Sequence, residues 1–119
     1  MASNGRAQRG DAFADTERRA SYFSHVAPPA ARRTLARFCS IFGSVVGDAA
    51  LMHGARTVAI AGGIVPRFIP YLRASAFRER FLAKGRFAAY LESVSIHVIT
   101  HDAPGLTGAA VALQNSLRR

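Results

Sequence analysis

Thr57-Val58-Ala59-Ile60-Ala61-Gly62-Gly63-Ile64-Val65-Pro66 is the stretch on which the reading of the fold turns. A short apolar run ending in paired glycines reads as a fully buried strand that leads into a tight turn. Pro66 suits the first turn of a following helix, where its missing N–H is no loss. That helix runs through Phe68, Ile69 and Leu72, with Pro70 still near its start. Ser75 reads as a new N-cap, Phe77 and Phe81 lie one turn apart on one face, and Gly85 ends the segment. Phe87, Tyr90 and Leu91 suggest one more short helix. Val94 to Thr100 is then a second strand, with Val94, Ile96, Val98 and Thr100 on one face and Ser95, His97 and Ile99 on the other. Strand, helical crossover and strand predict a parallel pair with a right-handed connection. Two strands make a poor sheet, and a parallel pair wants neighbours at its edges. The expectation is therefore an α/β fold that is the end of a larger sheet.

Upstream, Leu35, Phe38, Phe42, Val45, Ala49 and Met52 recur at helical spacing and predict one buried stripe. Gly54 follows as a left-handed C-cap. Gly43 and Gly47 lie four apart inside this helix, each costing about 1 kcal/mol relative to Ala. A helix that carries both is expected to pack its backbone very close to another element. Downstream, Asp102 to Gly105 forms a turn, and Leu106, Ala109, Ala110, Leu113 and Leu117 make a final amphipathic helix. Residues 1–30 read as a disordered, flexible N-terminal tail and 31–119 as the folded segment. There is no internal repeat.

The 119 residues amount to about one ordinary domain. Half of them are hydrophobic, which supports a core and argues against global disorder. Sixteen basic residues, all Arg but Lys84, stand against seven acids, for a net charge of +9. The excess is spread along the chain with no dense basic run. It reads as a basic solvated surface, and no specific nucleic-acid partner is expected. The longest uninterrupted apolar stretch, Val58 to Val65, falls well short of the roughly 20 residues a span needs, so no membrane helix is expected. One cysteine, Cys39, excludes a disulfide framework and a Cys-based zinc site. The N-terminus lacks an apolar signal region, and its acids argue against a transit peptide, so a cytoplasmic setting is expected.

The strongest local feature for chemistry is again the strand, Gly62-Gly63 and the helix start near Pro66. In open α/β sheets ligands gather beyond the carboxyl ends of strands. Glycines there admit a ring or phosphate close to the backbone, and a helix N-terminus adds N–H donors. On spacing alone a simple tight turn is the more economical reading, and the segment fits neither the Walker nor the G-x-G-x-x-G pattern. His97 and His101 bracket a strand end and do not converge as metal ligands. Cys39, beside the apolar stripe, reads as a buried structural thiol. Asp48, Glu79, Glu92 and Asp102 are the acids of the ordered part, and they form no two-carboxylate site. No catalytic residue, substrate-binding residue or metal site is assigned.

Several motifs nevertheless stand in one collinear order. Ile60-Ala61-Gly62-Gly63-Ile64-Val65-Pro66-Arg67-Phe68 is similar to the C-terminal segment of bacterial glucokinases. So are Ser75-x-Phe77-Arg78-x-x-Phe81, Lys84-Gly85-Arg86-Phe87 and Val98-Ile99-Thr100-His101-Asp102-x-Pro104-Gly105-Leu106-x-Gly108. Phe38-Cys39-x-Ile41-x-Gly43 and Gly47-Asp48-x-Ala50-Leu51 extend the resemblance, which covers about residues 34–113. It implies part of an actin-like (ribonuclease H-like), hexokinase-type kinase lobe that phosphorylates glucose to glucose 6-phosphate with ATP and Mg²⁺. Gly62 and Gly63 inherit the adenosine side of the nucleotide site; Gly105 and Gly108 read as backbone packing positions. Arg56-Thr57 stand where the family has glycines. The family's Asp-x-Gly-Gly-Thr phosphate loop, catalytic Asp and sugar-binding Glu/His set are not in these residues. The chain is therefore expected to need the missing N-terminal lobe, to be inactive alone and to be prone to self-association. The alternatives are a non-enzymatic basic interaction module or the remnant of a truncated kinase gene.

Overall fold

The computed structural model describes Arg18 and residues 27–119. The expected tail lies outside the described residues up to Val26, apart from Arg18. Helix α1 spans Pro29–His53, strand β1 Thr57–Ile60, helix α2 Ile69–Ala74, helix α3 Phe77–Leu82, helix α4 Ala88–Glu92, strand β2 Ser95–Val98 and helix α5 Pro104–Leu117. Short 3₁₀ turns, Val65–Phe68 and Gly85–Phe87, lead into α2 and α4. Pro29 occupies the first turn of α1.

β1 and β2 form a two-stranded parallel sheet with Thr57 opposite Ser95 and Ile60 opposite Val98. The Ile99 N–H donates to the Ile60 carbonyl at 2.8 Å, carrying the ladder one residue further. Val58, Ile60, Ile96 and Val98 turn to the core. Thr57, Ala59, Ser95 and His97 are exposed on the other face. The expected burial of β1 on both faces is corrected: helices cover one face of this sheet, and among the described residues nothing covers the other.

Helix α1 closes as expected. Gly54 has φ 59° and ends the helix, with its N–H donating to the Leu51 carbonyl and that of Ala55 to the Ala50 carbonyl. Its inner face, however, is Cys39, Gly43, Val46, Gly47 and Ala50. The expected stripe is corrected by one position, about 100° around the axis. Leu35 and Phe42 pack at the margin of the core, while Val45 is 57% and Met52 79% exposed. The cause is the glycine pair. A Cβ on Gly43 would lie 2.2 Å from the Phe77 carbonyl oxygen, and one on Gly47 would lie 2.7 Å from that of Phe81. α1 and α3 meet backbone to backbone, so the glycines must be innermost and the bulky residues go to the sides.

Phenylalanines fill those sides. Phe38 stacks on Phe42 at 5.5 Å and meets Phe68 edge-on at 6.0 Å; Phe42 leans on Phe77 at 5.5 Å, and Phe77 stacks with Phe81 at 6.3 Å. Each such pair is worth about 0.5–1.5 kcal/mol beyond the area it buries. The expected N-cap is corrected by one residue: Ala76 is the N-cap of α3 and Ser75 the C-cap of α2, its Oγ donating to the Leu72 carbonyl and accepting the Phe77 N–H at 3.2 Å across the junction. Lys84, just past α3, pairs with Asp48 of α1, and the Tyr90 hydroxyl donates to the Ala55 carbonyl at 2.8 Å.

Helix α5 is different. None of its residues is buried. A Cβ on Gly105 or Gly108 would meet nothing within 4 Å, which corrects their reading as packing positions within this chain. α1, for its part, is long and apolar enough to cross a membrane by length and composition. The count of uninterrupted apolar residues missed this because Ser40, Ser44 and Asp48 punctuate the helix.

The two glycine environments predict opposite signs. Gly43→Ala forces Cβ into the Phe77 carbonyl, and an overpacking cost of about 1–3 kcal/mol is expected as a lower urea midpoint. Gly108→Ala, in open space on an exposed helix, is expected to raise that midpoint by up to ~1 kcal/mol through helix propensity.

Candidate functional site

Parallel strands deliver their carboxyl ends to one sheet edge. β1 leaves there through Ala61-Gly62-Gly63-Ile64 and β2 through Ile99-Thr100-His101-Asp102, and α5 starts at the same edge. Gly62 has φ 125°, a conformation open to glycine and hardly to other residues. Gly62, Gly63, Ile64, His101 and Asp102 are all exposed. Nothing lies within 4 Å of the place where a Cβ would stand on Gly62 or Gly63. The turn therefore presents bare backbone that a flat group can approach closely.

The expected helix N-terminus is weaker than the sequence suggests. The turn enters a four-residue 3₁₀ segment and then the six-residue α2, not one continuous helix. Pro66 and Pro70 occupy their first turns and carry no N–H, and the Arg67 N–H is spent on the Ile64 carbonyl at 3.2 Å. Little dipole and few free donors remain for a phosphate. The edge suits an uncharged ring better than an anion.

The histidines fall where the spacing puts them. His97 is exposed on β2 opposite Ala59, and His101 turns its Nδ1 to accept the Ala103 N–H at 3.1 Å, orienting the entry to α5. Placing His101 beside the glycine turn needed the strand register, which spacing alone does not give. Among the described residues no three His, Cys, Asp or Glu side chains gather to hold a metal. Asp48 is engaged with Lys84, away from this edge.

The profile of the family described as Glucokinase matches residues 5–116. The chain belongs to the glucokinase family. It is 50% identical over 90 residues to a glucokinase of Helicobacter pylori (strain P12), covering 75% of this chain and 27% of that one. A glucokinase of Neisseria meningitidis serogroup C is 47% identical over 93 residues, 77% of this chain and 28% of its own. Among solved structures, a glucokinase from an Antarctic psychrotroph superposes with a TM-score of 0.66 at 33% identity, over 84% of this chain and 31% of that one. This member of a kinase family thus spans about a quarter of the length of the curated relatives it matches.

Cys39 belongs to the core rather than to the site. It is fully buried, and burial pushes its thiol pKa up from the ordinary 9.0, against a smaller lowering by its side-chain interaction with Ser75. A folded-state pKa above the unfolded one means that the folded chain holds more protons in between. Stability from this group is then complete below pH 9 and falls as pH rises beyond it. Urea midpoints above pH 9 should therefore decline more steeply for the natural chain than for Cys39→Ala.

Proposed function

We propose that this chain supplies the adenosine-side, C-terminal part of a cytoplasmic enzyme that transfers the terminal phosphoryl group of ATP to the 6-hydroxyl of glucose, and that it has no turnover by itself. Family membership supports the reaction class. The observation that carries the reading for this chain is the bare Gly62-Gly63 turn at the carboxyl edge of the sheet, with open space over both residues. A purine needs a flat, unobstructed approach and van der Waals contact with backbone. Ile64, largely exposed beside the glycines, adds apolar area for the ring.

When bound, ATP supplies the transferable phosphoryl group. The residues of this chain hold its far end. Gly62 keeps the turn open through its positive φ, and Gly63 keeps the approach clear. The described residues offer no ligand set for Mg²⁺ and no carboxylate placed to orient an attacking hydroxyl. Phosphoryl transfer rests on positioned phosphates, metal and an oriented nucleophile. Those tasks fall outside the described residues, and on this reading binding and catalysis are divided between two stretches of polypeptide.

The purified chain should give no glucose-dependent turnover with ATP and Mg²⁺. A hybrid in which it replaces the matching part of the Helicobacter pylori glucokinase should give turnover. In that hybrid, Gly63→Val is expected to raise KM for ATP by about tenfold, equivalent to ~1.4 kcal/mol, and to leave KM for glucose nearly unchanged. Steady-state kinetics with each substrate varied checks this. An equal effect on both substrates would remove the adenosine assignment.

A further inference from the structure

Helix α5 is placed by its start. None of its residues is buried, so no core packing among the described residues fixes the direction in which it leaves the sheet edge. Its N-cap, Ala103, makes no side-chain cap bond, and Pro104 follows at the first helical position. Two side chains hold this corner among the described residues. Within the helix, Thr107 bonds the Ala103 carbonyl through its N–H and its hydroxyl, each at 3.1 Å. Ahead of the helix, the Ala103 N–H donates to His101 Nδ1 at 3.1 Å. Asn and Asp commonly bond the backbone two residues on in this way; here an imidazole does so. Its use as an acceptor fixes the tautomer, because the neutral ring must then carry its proton on Nε2.

The strand register sets this corner level with the glycine turn. Ile60 pairs with Val98, so Gly63 and His101 stand equally far beyond the same rung, at the carboxyl edge, and both are exposed. An imidazole ordinarily changes charge between about pH 5 and 8. A proton on Nδ1 removes the acceptor and sets one N–H donor against another. Few other charges share the corner. Asp102 is the neighbour in the chain, His97 lies back on the exposed strand face, and Arg67 follows the glycine turn. The 61–64 turn and α5 itself carry no charged residue. The remaining positive end is the start of the α5 dipole.

We propose that His101 is a positioning residue of the nucleotide edge: through Nδ1 its neutral imidazole fixes the corner between β2 and α5 beside the Gly62–Gly63 turn. The edge is formed while the ring is neutral and loosens when the ring takes up a proton. The inference rests on the adenosine reading of that turn and adds to it a control by protonation. His101 acts through the backbone it holds and not by touching the phosphates, so its effect belongs to ATP binding and not to the sugar.

The first measurement uses the 119-residue chain. Hydrogen exchange of the Ala103 amide is followed by NMR and corrected for the intrinsic rate at each pH. Its protection at about pH 8 should fall about threefold at about pH 5, the size of one exposed hydrogen bond. His101→Ala should show the low value at both. His101→Asn should keep the high value at both, because its amide oxygen accepts the same N–H and does not titrate. His97→Asn should behave as the natural chain does. The second measurement uses the hybrid with the Helicobacter pylori glucokinase. There His101→Ala should raise KM for ATP by about fivefold, with less than about a twofold change in KM for glucose, and His101→Asn should restore it. Ala103 protection that ignores both pH and His101→Ala overturns the proposal, as does an unchanged KM for ATP in the His101→Ala hybrid. Gly63→Val then separates the two readings: a raised KM for ATP there leaves the adenosine assignment standing and removes His101 alone, and an unchanged one removes both.

Discussion

The backbone contact between α1 and α3 sets the arrangement of everything else. Gly43 and Gly47 bring the axis of α1 so near to Phe77 and Phe81 that no side chain fits between. Two glycines inside a helix give up about 2 kcal/mol of helix propensity. That loss is offset by the contacts which close approach permits: the file of phenylalanines from Phe68 to Phe81 and the Lys84–Asp48 pair at its end. With this crossing in place, the strand that follows α1 and the strand that follows α4 emerge side by side. Their parallel register then carries the glycine turn to the same edge as the start of α5.

The same crossing explains which surfaces are left open. One side of α1 is consumed by α3, so its remaining apolar residues face outward. One face of the sheet is consumed by helices, so Thr57, Ala59, Ser95 and His97 face outward too. Among the described residues nothing covers α5, none of whose residues is buried. A domain complete in itself would turn these elements inward, because exposed Leu and Met side chains each forfeit about 1.5–3 kcal/mol of burial. Among the described residues these apolar faces have no cover.

Much of this was legible in the residues. Paired strands, the intervening short helices and the Gly54 cap followed from local rules that depend on a few neighbours. So did close packing at Gly43 and Gly47, since unfavourable residues inside a helix need a compensating reason. The inner face of α1 was not legible from periodicity. Phe38, Val45 and Met52 outweigh Cys39, Val46 and Ala50 in any hydrophobic pattern, yet the partner element selects the glycine side. Nor could the pattern show that one face of β1 and all of α5 lie uncovered among the described residues, because an apolar stripe does not record what packs on it. At the candidate site, Gly62 and Gly63 stood out by sequence. The weak helix start behind them did not, because Pro66 and Pro70 each look favourable singly and only together break the helix into short pieces.

That broken start bears on what the edge can bind. A phosphate-binding turn uses a long helix whose first N–H groups all point at the anion. Here prolines remove donors, the 3₁₀ turn uses another, and α2 ends after six residues. What remains is exposed glycine backbone with an isoleucine beside it, a surface matched to a flat and uncharged ring. The phosphate end of a nucleotide held at this edge must then be met by groups on other polypeptide. On the proposed reading, the edge meets only the uncharged end of a nucleotide, and the groups that act on its phosphates stand on other polypeptide.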